Sequence, residues 1–217
     1  GAAGADGAAG QAEQNIPLTM AALMNVAKDQ FSKQTLIVEG NQNSTAFVAE
    51  ISDKRVVIFP ARVYVPGQKL SIINTVGEPV SYNQDQVFLS KALPLAMIVP
   101  DTIPEGSEDV ILTPSNEYRN KVGKTLFFVG YQKQNLYAFP LKIVSVSDTT
   151  LNLSTTIPGS FNEGTLLYDG ETKSALATIV ETTTPMKPIN WMIPNDVKTL
   201  QRNYAKAQNR DTSKVMM

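Results

Sequence analysis

The hydrophobic pattern of this chain repeats every 3.6 residues near its start and then changes to short apolar runs separated by turn residues. Residues 19–32 place Met20, Leu23, Met24, Ala27 and Phe31 along one side of a helix, with Thr19 as N-cap and Pro17 as lead-in. Short runs then predict strands at 34–39, 46–51, 56–60, 69–74, 87–90 and 95–99. Turn residues such as Gly40-Asn41 and Ser52-Asp53 separate them. A Pro-, Glu- and Gly-rich stretch, 100–117, connects this set to a second one at 125–131, 136–146, 150–155, 165–169 and 175–181. Phe127 and Phe128 take opposite faces of their strand, so one of them is expected inside. The helical period returns in 197–208, where Val197, Leu200, Tyr204 and Ala207 share a face and Asn195 or Asp196 is the N-cap. Trp191 reads as a hydrophobic clamp that seats this helix. Strands this short, spaced roughly 8–12 residues apart, argue for a barrel or a sandwich.

Length and composition narrow the choice. A chain of 217 residues accommodates one large all-β domain or two small packed barrels, and 42% apolar residues supply their cores. The expected division is a Gly/Ala tether at 1–15, a helix and first barrel at 16–110, a second barrel at 111–190, and a final helix and tail at 191–217. Residues 1–14 are low-complexity Gly/Ala, too poor in large apolar side chains to order themselves, and read as the tether of an exported bacterial protein, periplasmic or secreted. No run reaches the roughly 18 apolar residues of a membrane span. The formal net charge is -1 with the basic residues scattered, which gives no footprint for nucleic acid.

The chain has no cysteine and no histidine. Disulfides, a thiol nucleophile, and thiolate or imidazole metal ligands are therefore excluded. No Asp-x-Asp-x-Asp-Gly loop suggests an all-oxygen metal site, so neither metal nor cofactor is expected.

Five segments in order carry a family resemblance. Ser44-Thr45-Ala46-Phe47-Val48 resembles a Gly-x-Gly-Phe-Val strand, and Val57-Ile58-Phe59-Pro60-Ala61-Arg62-Val63-Tyr64 resembles Val-Leu-Thr-x-Ala-His-Val-Val. Pro94-Leu95-Ala96-Met97-Ile98 is similar to Asp-Leu-Ala-Leu-Leu. Val122-Gly123-Lys124-Thr125 through Gly130-Tyr131 matches the opening of a second barrel, and residues 157–169 resemble Pro-Gly-Asn-Ser-Gly-Ser/Gly-Pro-Val-x-Asp. The family is the trypsin/chymotrypsin-like serine proteases, and the resemblance covers residues 34–191. It implies an all-β fold of two packed six-stranded antiparallel barrels, with an N-terminal helix and a C-terminal helix.

The same resemblance puts Arg62 on the histidine position, Pro94 on the aspartate, Glu163 on the serine and Phe161 on the oxyanion glycine. A guanidinium has no lone pair to accept a proton, and proline has no carboxylate to orient a base. A bulky residue at Phe161 constrains the backbone N–H that an oxyanion hole needs. The expected protein is a pseudoprotease that binds an extended peptide or a partner protein as an added strand. Two alternatives stand beside it. One is a hydrolase with a relocated nucleophile, Ser160 or Thr165, and a lysine base, Lys124 or Lys173. The other is a purely structural envelope domain. Arg62 and Glu163, of opposite charge in neighbouring slots, are expected to form an ion pair across the former active site.

Overall fold

A computed structural model describes residues 19–39, 44–51, 53–89, 95–132, 135–147, 150–155 and 164–178. Helix α1 covers residues 19–34 and passes without a linker into β1 (Thr35–Glu39). The first sheet adds β2 (Ser44–Ile51), β3 (Lys54–Pro60), β4 (Ser71–Ile73), β5 (Val87–Leu89) and β6 (Leu95–Ile98), in the order β4-β1-β2-β3-β6-β5. The second holds β7 (Thr125–Gln132), β8 (Asn135–Val146), β9 (Leu151–Leu153), β10 (Leu166–Asp169) and β11 (Ser174–Thr178), in the order β11-β10-β7-β8-β9. Every strand ladder is antiparallel among the described residues. Two curled antiparallel sheets thus form the expected pair of barrels. The second has five strands among the described residues where six were expected, and the expected C-terminal helix, with Trp191, lies outside them.

Most of the central strands are apolar on both faces, and the alternation of their side chains shows why. In β2, Ala46 and Val48 point into barrel one while Phe47 and Ala49 point out of it; in β3, Val57 and Phe59 point in while Val56 and Ile58 point out. Barrel two repeats the arrangement. Leu126 and Phe128 of β7 and Leu167 of β10 fill its interior, while Phe127, Val129, Leu166 and Tyr168 turn outward. The outward sets meet in a third core shared by the barrels. Phe127 and Phe128 are therefore both fully buried, one in each core, because the strand has no solvent face at that point.

Helix α1 forms one wall of the shared core. Leu23, Met24, Ala27 and Phe31 pack into it as their spacing predicts, and the Phe31 ring meets Tyr131 of β7 edge-on at 5.5 Å. Met20 departs from the expectation and is 41% exposed. Leu23 already lies over Gly170, just past the end of β10, so a residue one turn earlier projects beyond the core.

The connector is tied down along its length by backbone hydrogen bonds. Glu108 N–H donates to the Lys33 carbonyl of α1, Val110 N–H to Val48 of barrel one, and Thr113 N–H to Ala175 of barrel two. Hydrogen bonding passes from one barrel to the other between Val110 and Ile111, whose carbonyl accepts from Ala175 N–H.

Truncating Phe31 removes a completely buried ring from the shared core. Phe31→Ala is expected to cost about 3–5 kcal/mol in urea denaturation, whereas Met20→Ala stays within about 0.5 kcal/mol of the parent. Equal effects at the two positions would contradict the placement of the helix.

Candidate functional site

The strands of barrel one bring several sequence-predicted positions to one end. Across the β3–β6 ladder the last residue of β3, Pro60, faces the first residue of β6, Leu95. At that same end β1 approaches its finish and β2 begins, with Val38 facing Ser44. Arg62 sits just beyond β3 in a single 3₁₀ turn, Ala61–Val63, and is exposed. Pro94 directly precedes Leu95 in the chain, but it lies outside the described residues.

Barrel two reaches this end through the residues that lead into β10. Gly164 adopts φ 91°, in the left-handed region, and a Cβ there would strike the backbone carbonyl of Thr45 in β2. Thr165 lies against the bare backbone of Gly130 in β7, and a Cβ on Gly130 would collide with its hydroxyl. The first of these contacts is a seam where the two barrels approach almost backbone to backbone, and the second lies within barrel two, between its neighbouring strands β7 and β10. Phe161 and Glu163 lie outside the described residues, as does the ion pair expected between Arg62 and Glu163.

The relocated-nucleophile alternative meets specific obstacles. Thr165 is 1% exposed, and its carbonyl accepts the Thr178 hydroxyl at 3.2 Å, so the residue is packed within barrel two, closed to a substrate. Ser160 lies outside the described residues. Lys124 holds Asp169 and Glu171, each at 2.8 Å. Partial burial works against its charge, but hydrogen bonds to Asp169 and Glu171 outweigh that effect and raise its pKa. Such an amine stays protonated at neutral pH and cannot act as a base. Lys173 occupies the turn after β10, with φ 54°, and stands beyond the opposite end of that strand from Thr165.

Two polar clusters lay beyond the reach of sequence reasoning. Asp169, at the end of β10, receives Lys121 Nζ at 2.6 Å and Lys124 Nζ at 2.8 Å on the same oxygen. Its other oxygen accepts Glu171 N–H at 2.9 Å and closes the turn into β11. The Asp169 side chain is only 1% exposed and that of Lys121 only 5%. The second cluster centres on Gln34, the last residue of α1. Its Oε1 accepts the Tyr168 hydroxyl at 2.9 Å, and its Nε2 donates to the Asp109 carbonyl and to Gln30 Oε1, both at 2.9 Å. A polar residue three positions after Phe31 on an apolar helix face was the only available signal for the second; the first had none.

No protein-family model matches the chain, and no curated protein matches it either. Solved structures do. The Rv3671c protease in an inactive form aligns with a TM-score of 0.56 at 15% identity, covering 82% of this chain and 95% of that one. A serine-to-alanine mutant of Rv3671c from M. tuberculosis H37Rv, also inactive, aligns at 0.55 and 15%, covering 83% and 93%. Deg5 aligns at 0.53 and 16%, covering 77% and 89%. This protein has the two-barrel fold of trypsin-like serine proteases. At such low identity the likeness establishes the fold alone.

The Asp169 cluster sets an acid limit on stability. Burial opposes ionisation of Asp169, but the two lysines and the turn N–H outweigh it and lower its pKa from 3.8 to about 2. A lowered folded-state pKa stabilises above the unfolded value and is lost as pH falls through the folded one. The expected contribution, about 2 kcal/mol, is complete above about pH 5 and disappears between about pH 4 and 2. Asp169→Asn leaves Lys121 buried without its counter-charge and should cost about 3–5 kcal/mol at pH 7. Chemical denaturation of both proteins from pH 7 to pH 2 checks this. The gap between them should narrow at low pH, and a constant gap would contradict the assignment.

Proposed function

We propose that this protein is a non-catalytic member of the trypsin-like fold, a module that binds an extended peptide or a loop of a partner protein. The observation that supports it most is the 3₁₀ turn following β3. In a chain with no histidine, Arg62 occupies the turn where the resemblance puts the general base. A guanidinium can hold an anion but cannot take a proton from a hydroxyl. General-base assistance alone contributes about 10²–10⁴-fold to catalysis, so its loss removes the usual hydrolytic chemistry. Recognition does not suffer in the same way. A peptide that adds as a strand binds through main-chain hydrogen bonds and side-chain pockets, neither of which needs the triad. Residues 1–14 have the Gly/Ala composition of a linker, and the reading places the protein outside the cytoplasm.

The test combines a serine-directed fluorophosphonate with a displayed library of extended peptides. No labelling and no casein cleavage are expected, together with selection of a peptide whose affinity falls about tenfold or more in Arg62→Ala. Labelling that disappears in Ser160→Ala or Thr165→Ala would overturn the proposal in favour of a hydrolase. Failure to select any peptide would favour a purely structural domain.

A further inference from the structure

We infer that helix α1 is a strap whose seat on barrel two controls how tightly the seam between the barrels closes. The inference is independent of any ligand and stands on the packing of β10. At one end of that strand lies the seam, where Gly164 of barrel two meets the Thr45 carbonyl of barrel one. At the other end lies the seat of the helix, where Gly170 admits the Leu23 carbonyl; a Cβ on Gly170 would stand 2.7 Å from that oxygen. The two ends are about 20 Å apart along the strand.

Between Leu23 and Phe31 the helix covers about 12 Å of this distance instead of touching a single point. From Leu23 over Gly170 it continues to Phe31, which packs on Tyr131, two residues along β7 from Val129, the partner of Leu166. Gln34 then anchors its last turn to the Tyr168 hydroxyl of barrel two and to the Asp109 carbonyl of the connector. The next residue, Thr35, already pairs with Phe47 of β2, the strand that carries Thr45. One helix is thus fixed to both partners of the seam, to barrel two by side chains and to barrel one by direct continuation into β1. Ala27 and Phe31 fill the shared core between them, and a close-packed core transmits a displacement of one wall to the others. A helix lifted from Gly170 therefore loosens Gly164 against Thr45. By thermodynamic reciprocity, loosening the seam also frees the helix.

Two glycine substitutions test the strap from opposite ends by amide hydrogen exchange. Gly170→Ala pushes on the Leu23 carbonyl and reaches neither barrel interior. Exchange is expected to rise about fivefold or more in α1 and in segments 44–49 and 164–168, and to rise less at Leu141 and Ile143 of β8 and in β9, which belong to the interior of barrel two. Gly164→Ala, acting at the seam, should raise exchange in α1 in return. A rise confined to the helix, an equal rise everywhere, or no change would each overturn the inference. If Gly170→Ala does not fold, Tyr168→Phe, which removes only the hydroxyl bonded to Gln34, serves in its place under the same criteria.

Discussion

The structure depends on a core that belongs to neither barrel alone. Phe47, Ile58 and Met97 from one side and Phe127, Leu166 and Tyr168 from the other bury against each other, with Phe31 of the helix as a third contributor. Each of these residues is a side chain turned out of its own barrel, so each barrel by itself would expose a broad apolar face to water. At roughly 25 cal/mol per Å² of apolar surface, exposure on that scale would offset much of the stability of a small domain. The two sheets are therefore halves of one folding unit. The short connector contacts at Val110 and Ile111, the glycine seam and the helix all serve to hold those faces together.

That constraint also explains what the sequence made legible. β2, β3, β6, β7 and β10 are runs of apolar residues with little polar alternation, and such runs announce strands buried on both sides. Strand positions were accordingly readable to within a few residues, and so was the helix from Leu23 to Phe31. The sequence does not reveal which face meets which core, because that depends on partners distant along the chain. Tyr168 finds Gln34 across 134 positions, and Lys121 finds Asp169 across 48. Neither pair has a local spacing rule to betray it. Met20 was misplaced for a related reason: periodicity gives the direction of a side chain but not where the core ends.

The candidate site was legible only through the resemblance. Its landmarks set Arg62 after β3 and Leu95 at the start of β6, and the ladder between Pro60 and Leu95 puts both at one end of barrel one. The seam was invisible beforehand, since Gly164 is a single glycine whose role appears only when Thr45 closes on it. Chemistry and architecture separate here. The contacts that join the barrels rest on Gly164, apolar faces and the Gln34 cluster. A fold built this way does not depend on which residue occupies the turn after β3.

The claim that the barrels form one unit around a shared core is tested most directly by differential scanning calorimetry of the whole chain. A single transition with a calorimetric to van't Hoff enthalpy ratio close to one is expected. Two resolved transitions, or one broad transition with a ratio near two, would show that each barrel is stable without the other and would contradict the account.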